Sequence, residues 1–160
     1  MINNSGNNMN EQKEKNEVIL FLGCPEVPVQ MGISLYLSYI LVKKGYSVTV
    51  AANPSVIKLA RVSDPERHYM GRMIDLDHCI GDLAEKKISF DTAIAFAHND
   101  AGITYATTIR YLHASRLILV IIGRNAEDLK KLVDFQCEMV VEKTVHNPVE
   151  LKKKLDEVFL

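Results

Sequence analysis

Short apolar runs alternate along the chain with longer segments in which apolar residues recur every three or four positions. Such runs are typical of strands buried on both faces of a sheet, and the periodic segments are typical of helices that bury one face. The runs predict strands over residues 18–22, 47–51, 92–97, 117–122 and 139–141. The periodic segments predict helices over residues 29–44, 54–61, 75–87, 101–113, 126–135 and 148–159.

This alternation predicts an α/β fold, a three-layer α/β/α sandwich around a doubly wound, mainly parallel, five-stranded sheet. Right-handed crossovers place the first strand inside the sheet and favour the order 2-1-3-4-5, which is Rossmann-like or flavodoxin-like. Residues 17–160 form a single domain, and the Asn-rich residues 1–16 predict a disordered tail. The connection of about 40 residues between the second and third strands predicts either a lid or a surface ornament.

Polar residues follow each predicted strand at its carboxyl end. Because parallel strands end at the same edge, we expect these residues to gather there, at the crevice where such sheets bind ligands. The candidate ligand-binding residues are Gly23, Cys24, Glu26, Asn53, His98, Asn99, Asp100, Arg124, His146 and Asn147. Helix amino ends and the Arg124 guanidinium favour an anionic ligand, although several of the same residues also suit helix capping.

Cys24 is the candidate catalytic residue. A thiol near the amino end of a helix can act as a nucleophile, a redox group or a soft metal ligand, and the alternative is a small residue packed under a tight loop. Cys24, His98 and His146 are the candidate metal ligands, since thiolate and imidazole suit zinc or a heavier divalent ion. Cys79 and Cys137 lie in or beside apolar segments and are assigned to the core.

The loop after the first strand argues against a dinucleotide. A G-x-G-x-x-G turn needs glycines and free N–H groups, whereas here Pro25 and Pro28 each remove an N–H donor. The second strand ends at Asn53 rather than at an acid that would hold a ribose, and the chain has no GxxxxGK[ST] sequence. NAD and a P-loop nucleotide are therefore disfavoured.

Composition excludes several partners. The formal net charge of -1 gives no reason to expect a nucleic acid partner. The longest aliphatic run, residues 117–122, is far shorter than the roughly 20 residues that a membrane span needs. Three scattered cysteines suit a reducing cytoplasm.

The first predicted helix favours a homodimer. Ten of the fourteen residues at 29–42 are apolar, so two sides of this helix need to be covered, and a two-fold partner would cover the second side.

Several short motifs carry a family resemblance. They are Leu22-Gly23-Cys24-Pro25-Glu26-Val27-Pro28-Val29-Gln30, Ala52-Asn53-Pro54, Asp64-Pro65-Glu66, Asn99-Asp100-Ala101 and His146-Asn147-Pro148. With them the chain, from about Val18 to its carboxyl end, resembles an uncharacterised family of methanogenic archaea, a domain of unknown function, and Cys24-Pro25-Glu26 is the most specific element. The resemblance implies a three-layer α/β sandwich of Rossmann-like topology and implies no activity.

The sequence thus predicts a cytoplasmic protein that binds a small anionic ligand or coenzyme at the carboxyl edge of a parallel sheet. By resemblance only, its setting is methanogen-specific metabolism. Two alternatives stay open. One is an enzyme that uses Cys24 as nucleophile or metal ligand, and the other is a homodimeric interaction module without a ligand.

Overall fold

Strands and helices alternate, as the hydrophobic pattern predicts, in a computed structural model that describes residues 16–113 and 115–160. The strands are β1 (Glu17–Phe21), β2 (Ser47–Ala52), β3 (Arg72–Asp75), β4 (Thr92–Ala97), β5 (Arg116–Ile122) and β6 (Glu138–Glu142). The helices are α1 (Val29–Lys43), α2 (Pro54–Ser63), α3 (Leu76–Ala84), α4 (Asp100–Leu112), α5 (Ala126–Lys130) and α6 (Val149–Phe159). All of the predicted tail except Asn16 lies outside the described residues.

The strands of the described chain form one parallel sheet in the order β3-β2-β1-β4-β5-β6. The α/β class and the double winding are confirmed, since the predicted order 2-1-3-4-5 is the order β2-β1-β4-β5-β6 of the structure. The predicted number of five strands is wrong, because β3 adds a sixth strand beside β2. Chain direction across the sheet reverses between β1 and β4, which makes their carboxyl ends the topological switch point.

The hydrophobic pattern does not predict strand β3, because β3 is a short strand at the edge of the sheet. Only Met73 and Ile74 of its four residues are apolar, and none of the four is fully buried. The long connection between the second and third predicted strands therefore contributes a strand to the sheet. It is an integral part of the fold and not the lid or surface ornament that the sequence predicts. Asp75, the first residue of the predicted helix 75–87, is the last residue of this strand and caps α3.

Two apolar cores cover the two faces of the sheet. Helices α1, α2 and α6 pack on one face, and α3, α4 and α5 pack on the other. The central strand β1 contributes Leu20 to the first core and Ile19 to the second, and both side chains are fully buried. Because alternate residues of a strand point to opposite faces, neighbouring residues at a strand end can lie on different sides of the sheet.

Helix ends follow local chemistry. Gly45 has φ +87° directly after α1, and the N–H of Tyr46 donates to the carbonyl of Leu41 at 3.0 Å, which is a Schellman ending. Helix α5 is shorter than the predicted 126–135, because Leu132 and Val133 donate to carbonyls three residues back and tighten the chain. In residues 16–113 and 115–160, each helix falls short of the length and apolarity that crossing a membrane requires.

Candidate functional site

A cavity of about 180 Å³ opens at the switch point, on the face of the sheet that carries α3 and α4. We call it the switch-point pocket. Buried residues of β1, β4, α3 and α4 and the residue that follows β1 line its floor. The side chains of Phe21, Leu76, Ala95 and Ile109 belong to the core on this face, whereas Leu22 and Phe96 belong to the core on the α1 face. Its rim is more exposed and more polar, and carries Cys24, Asn53, Asp75, Asp77, Asn99 and Tyr105.

The two amides of the rim are held by helix capping. Asn53 precedes α2, and its Oδ1 accepts the N–H of Val56 at 3.0 Å. Asn99 precedes α4, and its Oδ1 accepts the N–H of Gly102 at 2.9 Å. The capping role that the sequence left open is therefore real for both residues, and it also fixes their positions beside the cavity.

Gly102 lets α4 begin very close to the end of β4. A Cβ atom at this position would lie 2.8 Å from the Cα of Ala97, a distance that real Cβ atoms do not show. Because the obstructing atom belongs to the backbone, a side chain here would push α4 away from the sheet. The glycine thus sets the width of the switch-point pocket on the α4 side.

Two carboxylates lie on the rim next to β3. Asp75 Oδ1 accepts the backbone N–H groups of Asp77 at 3.0 Å and His78 at 3.1 Å, so its side chain is fixed as the cap of α3. Asp77 Oδ1 accepts the hydroxyl of Tyr105 at 3.4 Å. The Asp77 carboxylate raises the pKa of Tyr105, which keeps the phenol protonated and able to donate.

Cys24 is exposed at the mouth, while Cys79 is buried and Cys137 is half-buried. The amide Nδ2 of Asn53 lies 3.8 Å from its Sγ. Burial raises the pKa of Cys79 to about 12, and burial also raises the pKa of Cys137. Cys24 is five residues before the first residue of α1, with the 25–28 turn between them, so the expected position at the amino end of a helix is not formed.

The amino end of α1, where dinucleotide-binding folds hold a phosphate, is occupied by the chain itself. The N–H of Val29 donates to the carbonyl of Val145 at 2.9 Å, and the N–H of Gln30 donates to Val27 at 3.1 Å. The Gln30 side chain is buried and bonds both backbone groups of Gly23, at 3.0 and 3.2 Å. Because Pro28 also lacks an N–H, little hydrogen-bonding capacity is left here for an anion.

His98 lies on the opposite face of the sheet from the switch-point pocket. Its side chain is only 6% exposed, beside Gly23 and Gly123, and its Nε2 is 3.5 Å from Glu26 Oε2 without a well-formed hydrogen bond. Glu26 itself extends into solvent, with 74% of its side chain exposed. These two candidates therefore form a pair of their own, apart from Cys24 and Asn99.

The remaining candidates do not join the pocket. Asp100, Arg124 and His146 are exposed and are not part of its lining. Asn147 Oδ1 accepts the N–H of Val149 at 3.1 Å, at the start of α6. Of the predicted site residues, the structure brings together only Gly23, Cys24, Asn53 and Asn99 around the switch-point pocket.

A metal centre is not formed from the predicted ligands. The described residues contain no group of three or more His, Cys, Asp or Glu side chains placed to hold a metal ion. Cys24 lines the switch-point pocket, His98 lies on the other face of the sheet, and His146 is exposed in the loop before α6.

The sequence reasoning missed three rim residues, Asp75, Asp77 and Tyr105. The first two follow β3, which the hydrophobic pattern did not reveal. A signal was present in Asp75-Leu76-Asp77, since an acid before a helix and another in its first turn mark a helix start, and a helix of a parallel sheet starts at its carboxyl edge.

Comparison with known proteins places the chain among uncharacterised relatives. A family model described as "Domain of unknown function (DUF1890)" matches residues 19–158. Uncharacterized protein MJ0452 of Methanocaldococcus jannaschii, a methanogenic archaeon, is 28% identical over 145 residues, which is 88% of this chain and 95% of that protein. The resemblance that the sequence motifs suggest is confirmed.

Two solved structures share the fold. The first, described as "Structure of MT0777", is 35% identical with a TM-score of 0.83 over 91% of this chain and 97% of that chain. The second, the hypothetic protein SMU.573 from Streptococcus mutans, is 13% identical with a TM-score of 0.52 over 93% of this chain and 58% of that chain. At this low identity the second likeness shows the fold alone.

Proposed function

The chain belongs to the family of the domain of unknown function DUF1890, and from the geometry of its site we propose that it binds a small neutral or cationic ligand in the switch-point pocket. The observation that carries the proposal is a cavity with an apolar floor and a polar rim at the topological switch point. Open parallel sheets bind their ligands at this position. An apolar cavity with a few well-placed polar groups is the usual form of a small-molecule site.

The size of the cavity limits the ligand. A volume of about 180 Å³ equals the share of roughly six water molecules in the liquid and is below the roughly 300 Å³ at which drug-sized sites begin. One ring system fills such a space, and further groups of the ligand extend through the mouth. A dinucleotide enclosed as a whole does not fit.

The charge of the rim sets the sign of the ligand. Asp75 and Asp77 are carboxylates, and within the described chain the lining includes no lysine, arginine or histidine. Because like charges in a partly enclosed site repel, this lining favours a neutral or cationic ligand over the anionic one that the sequence led us to expect. Capping bonds hold the Asp75 carboxylate in place, so it is a preorganised acceptor for ligand N–H or O–H groups.

Cys24 acts in this proposal as a contact at the mouth. The alternative of a nucleophilic enzyme needs a base within hydrogen-bond reach of the thiol, and the imidazole that the sequence offered, His98, lies on the other face. Three free thiols in the described chain suit the reducing cytoplasm in which we place the protein.

Alkylation of the cysteines tests the proposal. With iodoacetamide at neutral pH and peptide mass mapping, we expect Cys24 to react first, since it is exposed whereas Cys79 is fully buried. Neutral or cationic fragments of roughly ten non-hydrogen atoms should slow this reaction, and matched anionic fragments should not. The chain unfolded in urea is the control, in which all three thiols should react at similar rates.

A pair of variants separates binding from general effects on the fold. Asp77→Asn should weaken protection by a cationic fragment roughly fivefold, while Asp134→Asn, at an exposed position outside the pocket lining, should leave protection unchanged. If no neutral or cationic fragment slows alkylation of Cys24, or if anionic fragments protect best, the proposed function is wrong.

A further inference from the structure

We propose that the ligand of the switch-point pocket is a purine nucleoside without a phosphate, an inference that rests on the proposed function. In this proposal the base occupies the apolar floor and the ribose lies at the mouth beside Asp75 and Asp77. Three features lead to it: the shape of the cavity, the acceptor groups on one side of its mouth, and a described lining without a cationic side chain.

The cavity matches a base in size and surface. A purine has about ten non-hydrogen atoms, close to what about 180 Å³ accommodates. Small residues on two sides, Ala95 from β4 and Gly102 from α4, leave a narrow space between sheet and helix. The rings of Phe21 and Tyr105 in the lining give a flat aromatic ligand apolar contact.

The mouth matches the hydroxyl groups of a ribose. Asp75 ends β3, and its Oδ1 already accepts two backbone N–H groups, which leaves Oδ2 as the acceptor for a ligand hydroxyl. Asp77, two residues later in the first turn of α3, adds a second carboxylate. Carboxylates that accept ribose hydroxyls are the usual solution at the carboxyl edge of such sheets, and here β3 supplies them, because β2 ends at Asn53.

A phosphate on the same nucleoside meets no cationic side chain in the described lining of the pocket. The first N–H groups of α1 are bonded within the chain, to Val145 and Val27. The residues of the described chain that line the pocket bring no cation, and the two rim carboxylates repel a phosphate, which carries about -1.5 to -2 charges. A positive charge on the nucleoside is compatible with the same rim.

Isothermal titration with adenosine and AMP tests the inference. We expect adenosine to bind at least about tenfold more tightly than AMP, because the phosphate adds repulsion without a compensating contact. Asp75→Asn should weaken adenosine binding and narrow the adenosine-to-AMP ratio, since asparagine keeps the cap of α3 but removes the charge. Asp134→Asn should change neither value.

The outcomes separate this inference from the proposed function. If AMP binds as tightly as adenosine, or if adenosine fails to bind while neutral fragments still protect Cys24, the nucleoside inference is wrong and the proposed function stands. If adenosine fails and no neutral or cationic fragment protects Cys24, both are wrong. Adenosine binding that Asp75→Asn leaves unchanged also contradicts the inference, because it places the nucleoside elsewhere.

Discussion

Asp64 organises the loop that leads from α2 to the edge strand β3, and its substitution should destabilise the protein. The carboxylate is almost fully buried, with 5% of the residue exposed. It accepts the backbone N–H groups of His68 at 3.0 Å, Tyr69 at 3.0 Å and Met70 at 2.8 Å. Because β3 presents Asp75 to the switch-point pocket, the loop also supports the proposed site.

The magnitude follows from these three bonds. Hydrogen bonds to a charged group contribute about 1.5–3 kcal/mol each and are not additive, and asparagine at position 64 keeps one acceptor oxygen. We therefore expect Asp64→Asn to lower the free energy of unfolding by about 3 kcal/mol at neutral pH. For a domain of this size that corresponds to a fall in Tm of roughly 6–12 °C.

The effect should depend on pH. Burial acts to raise the pKa of Asp64, but the three N–H groups outweigh it and hold the pKa below the ordinary value of 3.8. A lowered pKa in the folded state contributes stability that is present above 3.8 and is lost as the pH falls through the folded value. The difference between wild type and Asp64→Asn should therefore shrink only below pH 3.8.

Thermal and urea unfolding, followed by circular dichroism, measure both effects. Asp134→Asn is the matched control and should stay within about 0.5 kcal/mol of the wild type, because it changes an exposed carboxylate. An Asp64→Asn variant as stable as the control at neutral pH would refute the reasoning. So would a difference that persists unchanged after Asp64 is protonated.

Two further predictions concern Gly102 and the first helix. Gly102→Ala should destabilise the protein by about 1–3 kcal/mol in urea unfolding, because its Cβ would meet the Ala97 backbone, whereas Gly81→Ala, in open space inside α3, should stabilise it by about 0.5–1 kcal/mol. The homodimer stays a prediction: Tyr39→Glu on α1 should shift the protein toward monomer in sedimentation, and Tyr111→Glu, 82% exposed on α4, should not. A wild type that is monomeric at micromolar concentration would end the dimer prediction.

The sequence was sufficient for most of the fold because most strands are buried on both faces. Strand β5, for example, has six consecutive buried residues after Arg116, and because all six must be apolar they appear in the sequence as a continuous apolar run. Strand β3 has no such run, since an edge strand exposes part of its surface. The number of strands was therefore beyond the reach of the pattern, while their order was not.

The candidate site was only partly predictable, because residues at the carboxyl edge of the sheet can lie on either of its two faces. His98 follows Phe96 by two residues and lies, like it, on the α1 side, whereas Asn99 lines the pocket on the α4 side. Adjacent positions in sequence were thus separated by the sheet. Asp75 and Asp77 were out of reach for another reason, since they belong to the strand that the pattern missed.

The hydrogen bond from Val29 to Val145 makes the start of α1 and the loop before α6 depend on each other. Residues 142–147 contribute nothing to the lining of the pocket, yet the carbonyl of Val145 accepts the N–H of Val29, a group of the kind that helix amino ends offer to anions. A backbone carbonyl of the protein itself thus takes up a donor that an anion would use. Under the proposed function, discrimination against anions therefore depends in part on a segment near the carboxyl terminus, far in sequence from the residues that line the pocket.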